Sequence, residues 1–225
     1  MREGHDSGDP YVVEIADRQN IVQLDHAELA RVVRVTLAAE QVSRAEISVA
    51  LVTGTSMHRL NRKYLDHDYT TDVLSFLLSS EPDEDAAHTG HAAAEETELR
   101  GCGLRIDGEI VISAEMARDR APDFGWTERE ETILYLVHGL LHLAGYDDQT
   151  DSERILMRSR ERAVLELCGV TACDSHGDQR RFSGEDSSQP AAEASNQSGE
   201  DVPQPEGHRS RPGDDGMPPA GSADS

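Results

Sequence analysis

Apolar and polar positions along this chain repeat at two periods, and where the repeats lapse the chain turns strongly polar. Tyr11–Ala16 alternates at a period of two, as a strand with one buried face does. His26–Glu40 instead spaces Leu29, Val32, Val33, Val35 and Leu37 as a helix, behind Asp25 as N-cap. Ala45–Thr53 is β-rich and bounded by Gly54. Met57, Leu60 and Tyr64 predict a helix over Ser56–Leu65, and Thr71–Leu78 reads as a buried strand. Gly108–Ser113 is a further strand, running into a helix over Ala114–Arg120. Thr127 and Glu130 hold capping-box positions before Ile133, Leu134, Leu136, Val137, Leu140 and Leu141. That run is apolar nearly all round, which puts its helix at the centre of the fold. Asp151 caps a last helix, Ser152–Cys168, stopped by Gly169. Four strands interspersed with five helices predict an α+β (mixed α/β) fold: a small four-stranded mixed sheet packed with about five helices.

The lapses bound the folded part. From Thr171 onward the chain is Ser, Gly, Pro, Asp, Glu and Gln with almost no large apolar residue. Such a segment buries too little surface to offset its ordering entropy, so residues 171–225 are expected to be a disordered acidic tail. A second polar stretch, at about 80–100, reads as an exposed acidic loop inserted into a 1–170 domain. Of 225 residues, on the order of 150 remain, enough for one domain with a real core.

Composition narrows the partners. The net charge is −23, and the chain stays acidic when both polar segments are set aside. An acidic body repels polyanions at long range, which counts against a non-specific nucleic-acid binder and leaves DNA out of the expected partners. An RNA substrate then needs a local cationic patch. Three irregularly spaced cysteines, Cys102, Cys168 and Cys173, suggest no disulfide framework and point to a reducing compartment. No run of 18 apolar residues occurs, so no membrane is expected, and the location reads as cytoplasmic.

The chemistry sits at the end of the central helix, in His138-Gly-Leu-Leu-His142-Leu-Ala-Gly145-Tyr-Asp147-Asp148. Histidines four apart on a helix point the same way. Gly145 can take a positive φ, stop the helix and turn the chain back with two carboxylates. His138, His142 and Asp148 are therefore the expected metal ligands, one Zn²⁺ per chain, with Asp147 beside them orienting an imidazole or exchanging roles with Asp148. Two nitrogens and one oxygen leave a coordination position open, the arrangement of a catalytic zinc that activates water for hydrolysis. The spacing is similar to that of metzincin peptidases, but their general-base Glu is replaced here by Gly139, which weakens a peptidase reading. Glycine there also leaves space beside the metal.

With these residues in view, the chain resembles the YbeY family, bacterial endoribonucleases that act as rRNA maturation factors. The family hallmark H-G-x-L-H-L-x-G-Y-D-H stands here as HGLLHLAGYDD. The upstream signature L-N-x-x-Y-R-x-x-D-x-x-T-D-V-L-S-F runs from Leu60 to Phe76, and GEIVIS at Gly108–Ser113 is similar to a third family segment. The resemblance covers about Tyr11 to Val170. It implies a metal-dependent endoribonuclease acting on single-strand-type RNA at the 3′ end of small-subunit (16S) rRNA, with the small ribosomal subunit and its assembly factors as partners. Two positions depart from the family. Asp148 replaces a histidine, giving a harder and more anionic site that excludes Mn²⁺ or Fe²⁺ less strongly. Leu65 replaces an arginine that contacts the phosphate backbone, a role for which Arg59, Arg62 and Lys63 are the substitutes. Ser75 is a further substrate-binding candidate. Asp72 and Asp147 are candidates for proton transfer, although Asp72 equally suits a cap on the strand that follows it. A metal-dependent peptidase and a non-catalytic ribosome-assembly factor with a structural metal are the competing readings.

Overall fold

Each strand turns its alternate apolar residues toward helices, and that alternation sets the layers. The computed structural model describes residues 9–64, 66, 68–84 and 99–171. β1 (Tyr11–Asp17), β2 (Arg44–Val52), β3 (Val73–Pro82) and β4 (Leu104–Ser113) form one mixed sheet in the order β1-β2-β4-β3. β1, β2 and β4 are parallel, and β3 closes the edge antiparallel to β4. The helices are α1 (His26–Ala39), α2 (Gly54–Tyr64), α3 (Ala114–Arg120), α4 (Glu128–Leu143) and α5 (Asp151–Cys168), with a 3₁₀ turn at Ala121–Phe124. The α+β architecture is the expected one.

Ile47, Val49 and Leu51 of β2 and Ile106, Ile110 and Ile112 of β4 join the main core with Leu29 and Leu37 of α1, Leu136 and Leu140 of α4, and Met157 of α5. The opposite face contributes Val52, Leu74 and Val111, which close on Met57 beneath α2. α2 therefore lies across the sheet from α1 and α4. Helix α4 is the most enclosed element, with twelve of its sixteen residues buried. Its start is fixed as expected: Thr127 Oγ1 receives the Glu130 N–H, and the Glu130 carboxylate receives the Thr127 N–H at 2.8 Å. At its centre α4 comes very close to the sheet. A Cβ at Gly139 would lie 2.8 Å from Ser75 Oγ, 3.2 Å from Ile110 Cγ2 and 3.3 Å from Val73 Cγ2. Glycine is needed there for helix–sheet approach, which corrects the expectation that it leaves space beside a metal.

Several boundaries move. α2 begins at Gly54, earlier than Ser56, because the Glu115 carboxylate of α3 accepts the Gly54 N–H. That contact spans 61 residues, and no local pattern carries it. The β3–β4 hairpin extends to Pro82 opposite Leu104, so the polar insertion starts later than residue 80. β3 is also less buried than its apolar run implies: Leu77 and Leu78 are 50% and 64% exposed, next to a register shift between Leu77 and Ser79. An edge strand lacks a neighbour to cover it. The cap of α5 is Thr150, which receives the Glu153 N–H, and Asp151 is the first helical residue. Leu65, Cys173, residues 85–98 of the acidic loop and residues 172–225 of the tail lie outside the described residues.

Gly139→Val should lower unfolding free energy by about 1–3 kcal/mol, the usual cost of overpacking a filled site. Urea denaturation with an unchanged m-value is the check, and a variant as stable as the parent would show that α4 and β3 can separate freely.

Candidate metal centre

Helix α4 ends in a left-handed turn that sends the chain back over its own last residues. Gly145 takes φ +97°, the Gly145 N–H donates to the His142 carbonyl at 3.0 Å, and the Tyr146 N–H donates to the Leu141 carbonyl at 3.0 Å. This is a Schellman-type stop. The turn is held from several sides. Tyr146 Oη donates to Glu40 Oε2 at 2.7 Å, and Arg160 Nε and Nη2 donate to Glu40 Oε1 at 2.9 and 2.7 Å. Glu40 is buried, so its charge needs this full set of partners. Burial and the adjacent Glu40 carboxylate push the Tyr146 phenol up to about 12, so it stays a hydrogen-bond donor at neutral pH. Arg100 donates to the Gly145 carbonyl at 2.8 Å and sits over the Tyr146 ring, and Arg154 donates to the Asp148 carbonyl at 2.9 Å. The result is that one ligand-type atom from each of His138, His142 and Asp148 lies within 4.8 Å of the others.

The two imidazoles are fixed through their outer nitrogens. His138 Nδ1 is 2.6 Å from Glu161 Oε1, and His142 Nδ1 is 3.0 Å from the Tyr146 carbonyl oxygen. Both partners only accept, so both Nδ1 atoms carry hydrogen and both Nε2 atoms present lone pairs. Those Nε2 atoms face each other at 3.0 Å. Two lone pairs at that distance repel unless a cation lies between them. With a proton as that cation, burial works against the charge on His138, but the Glu161 hydrogen bond and the charges of Glu161, Asp72 and Asp148 outweigh it and raise its pKa above the usual histidine range. Burial and the neighbouring His138 lower that of His142. A divalent ion satisfies the same geometry with a third donor, Asp148, within reach, so the donor set fits a metal.

The remaining sequence candidates fall at different distances from this centre. Asp72 heads β3, where its Oδ1 accepts from Val73 N at 2.8 Å and from Thr71 Oγ1 at 3.0 Å. It is thus a strand cap, and its charge is also felt at His138. Asp147 Oδ1 accepts the Asp148 N–H at 2.7 Å, so it shapes the ligand loop, while the imidazoles are oriented by Glu161 and Tyr146. Ser75 lies against Gly139, one residue from His138. Arg59, Arg62 and Lys63 ride on α2, across the sheet from the histidine helix, and are not drawn into the cluster. Arg62 faces Asp68 at 3.8 Å, and Lys63 Nζ is 3.1 Å from Tyr64 Oη.

Sequence reasoning missed Glu161, Glu40 and Arg160. Glu161 had a signal: it interrupts the apolar stripe Met157, Val164, Leu165, Cys168 on the buried side of α5. An acid in such a stripe needs a buried partner.

A carboxylate on the far nitrogen of a metal-binding imidazole fixes its orientation and raises its basicity. Glu161→Gln should weaken divalent-metal affinity by about 10–100-fold. Metal uptake requires neutral imidazoles, so affinity should rise with pH through the raised His138 value, with release of a proton. In Glu161→Gln, which loses the charge holding that value up, the rise should move to lower pH. Chelator competition across pH 5–9 reads both effects, and an unmoved profile would deny Glu161 this role.

The family described as "Endoribonuclease YbeY" matches residues 14–169, from within β1 to the end of α5. An endoribonuclease YbeY of Salinibacter ruber is 35% identical over 143 residues, covering 64% of this chain and 83% of its own length. That of Caldanaerobacter subterraneus is 35% identical over 161 residues, covering 70% of this chain and 98% of its own. A Rhodopirellula baltica relative is 34% identical over 145 residues, 64% of each protein. The match spans the helix that carries both histidines, the turn that returns Asp148 and the strand that packs on Gly139; the chain belongs to the YbeY endoribonuclease family.

Proposed function

We propose that this chain is a metal-dependent endoribonuclease of rRNA processing, with His138, His142 and Asp148 holding one Zn²⁺ and the 3′ end of small-subunit rRNA as substrate. The observation that carries the reading is the pair of opposed imidazole nitrogens at 3.0 Å, each locked by a partner on its other nitrogen. The family supports the RNA substrate. Two imidazoles and a carboxylate suit zinc, and the carboxylate also admits Mn²⁺ or Fe²⁺. The small subunit and its assembly factors are the proposed partners, and the cytoplasm the proposed location. Among the described residues no helix is long and apolar enough to cross a membrane, and Cys102 and Cys168 are free thiols. A peptidase is disfavoured because position 139, where that chemistry needs a Glu, packs against Ser75 and Ile110.

When bound, the ion supplies Lewis acidity toward water and phosphate oxygen. The chain's own residues do the rest. Glu161 and the Tyr146 carbonyl hold both imidazoles in one tautomer. Asp72 keeps Oδ2 outside its two described hydrogen bonds, and we assign it the acceptance of a proton from the attacking water. Ser75 lies beside α4 where its hydroxyl can donate to a phosphate oxygen.

Cleavage of an rRNA 3′-end precursor should stop on chelation and return with added Zn²⁺; cleavage indifferent to chelator would refute the metal. Asp148→Ala should lose metal and cleavage together, since two protein ligands remain. Asp148→His should keep both, because a neutral third ligand leaves more positive charge at the site for phosphate. Asp72→Asn should keep its metal and lose about 10²–10⁴-fold in rate, the range of a general base. Elemental analysis beside single-turnover rates separates these outcomes.

We also propose that residues 171–225 form an acidic tail outside the catalytic domain. Truncation after Val170 should then shift Tm by less than about 2 °C, under roughly 1 kcal/mol for a domain of this size. A larger drop would place part of the tail on the domain.

A further inference from the structure

Among the described residues, the strongly exposed aromatic side chains are Tyr64 and Tyr69. Tyr64 and Tyr69 are 55% and 50% exposed, at the end of α2 and in the connection to β3. The Tyr64 ring meets Phe76 of β3 edge-on, with centroids 5.5 Å apart. Lys63, the sole lysine of the chain, places Nζ 4.7 Å from the Tyr64 ring centroid. Arg59 and Arg62 are exposed on the same helix. Asp66 and Asp68 are the acids of this stretch; Asp68 faces Arg62 at 3.8 Å and His58 at 3.0 Å. Within Arg59–Tyr69 three cations outnumber two acids, on a chain of net charge −23, while Glu109 of β4 lies opposite Phe76 across the hairpin and Asp72 heads β3. The buried Asn61 amide donates to the Tyr69 carbonyl at 2.8 Å, which ties the connection to α2.

The connection that leaves the patch runs on to Asp72, at the head of β3. Three residues of chain reach at most about 10 Å, so Tyr69 stands within that distance of Asp72, whose charge is felt at His138. β3 is the sheet edge, so a strand passing over it moves from the face of α2 to the face of α4.

Exposed aromatic faces interleaved with cations are what single-stranded nucleic acid stacks on, because every base offers a π-face and every linkage a negative charge. An acidic body admits a polyanion only where its field is locally reversed. We propose that Tyr64 and Tyr69, with Lys63 and Arg62, form a stacking platform for unpaired bases of single-stranded RNA and lead the strand over the β3 edge to His138, His142 and Asp148. This rests on the ribonuclease reading. A paired base has both faces covered, so stacking on Tyr64 and Tyr69 is a physical basis for the single-strand preference that the family resemblance implies.

The test uses the full chain carrying His142→Ala, so that the probe survives, and a labelled oligouridylate of about 10 nucleotides. Fluorescence anisotropy at low salt should show binding weakened about tenfold by Tyr64→Ala and again by Tyr69→Ala, the scale of losing one stacked base. Tyr64→Phe and Tyr69→Phe should bind as the parent does, which separates stacking from the hydroxyls and from folding. Lys63→Ala should reduce the slope of log affinity against log salt by about one, as loss of one phosphate contact does. Duplex RNA of the same length should bind more weakly than the single strand and be indifferent to the tyrosine changes. Alanine variants within twofold of the parent, or phenylalanine variants as weak as the alanine ones, would overturn the platform. If the unsubstituted protein still cleaves the rRNA precursor in that case, only the platform falls. If it cleaves no RNA, the ribonuclease reading falls with it.

Discussion

The spacing between α4 and the β3–β4 hairpin is the constraint on which the rest of this molecule depends. A Cβ at Gly139 would press on Ser75, Ile110 and Val73, and one at Gly108 would lie 2.6 Å from a methyl of Leu143. The helix and the sheet thus each give up a side chain where they meet, four residues apart along α4. His138 and His142 each precede one of the two contact points, so their height above the sheet and their rotation about the helix axis follow from a backbone approach that any side chain would obstruct. Interiors pack to crystal-like density, so such an approach holds a position that flexible surface contacts cannot.

Placement of Asp148 follows different physics. Asp148 sits on a half-exposed loop, and the loop is set by polar bonds of its neighbours: Tyr146 and Arg160 on the buried Glu40, Arg100 on the Gly145 carbonyl, Arg154 on the carbonyl of Asp148 itself. Removing one member of the Glu40 set would leave a buried charge short of partners, which costs more than the pair itself contributes. The turn is therefore rigid for electrostatic reasons where α4 is rigid for steric ones. The cluster of His138, His142 and Asp148 draws on both.

How much of this was legible in the sequence depends on the range over which each interaction acts. Capping at Thr127, the stop at Gly145 and the helical register of His138 and His142 are local, and they stand where the pattern put them. Asp72 was readable as a strand cap for the same reason. The start of α2 was not, because Glu115 supplies its first hydrogen bond from a distant helix. The role expected of Asp147 went to Glu161 because orienting an imidazole takes a group on its outer side, and α5 covers that side. The exposure of Leu77 and Leu78 escaped because an apolar run cannot tell a central strand from an edge one.

The charge around the histidines explains why an acidic enzyme needs its cations elsewhere. Asp148 is at the cluster itself, Glu161 is bonded to His138, and the charges of Asp72 and Asp147 act on His138 and His142 respectively. Those four carboxylates would outweigh a divalent ion held by His138, His142 and Asp148, so the centre as a whole would offer a polyanion little net attraction. Screening confines the field of each group to about 8 Å at physiological salt, so the −23 of the whole chain matters less than what lies within that radius of the RNA path. Affinity must then come from surfaces a short distance upstream, where stacking is insensitive to the acidic body and a few cations can act at close range. The segment from Arg59 to Tyr69 has that composition, and it ends three residues before Asp72, whose charge acts on His138.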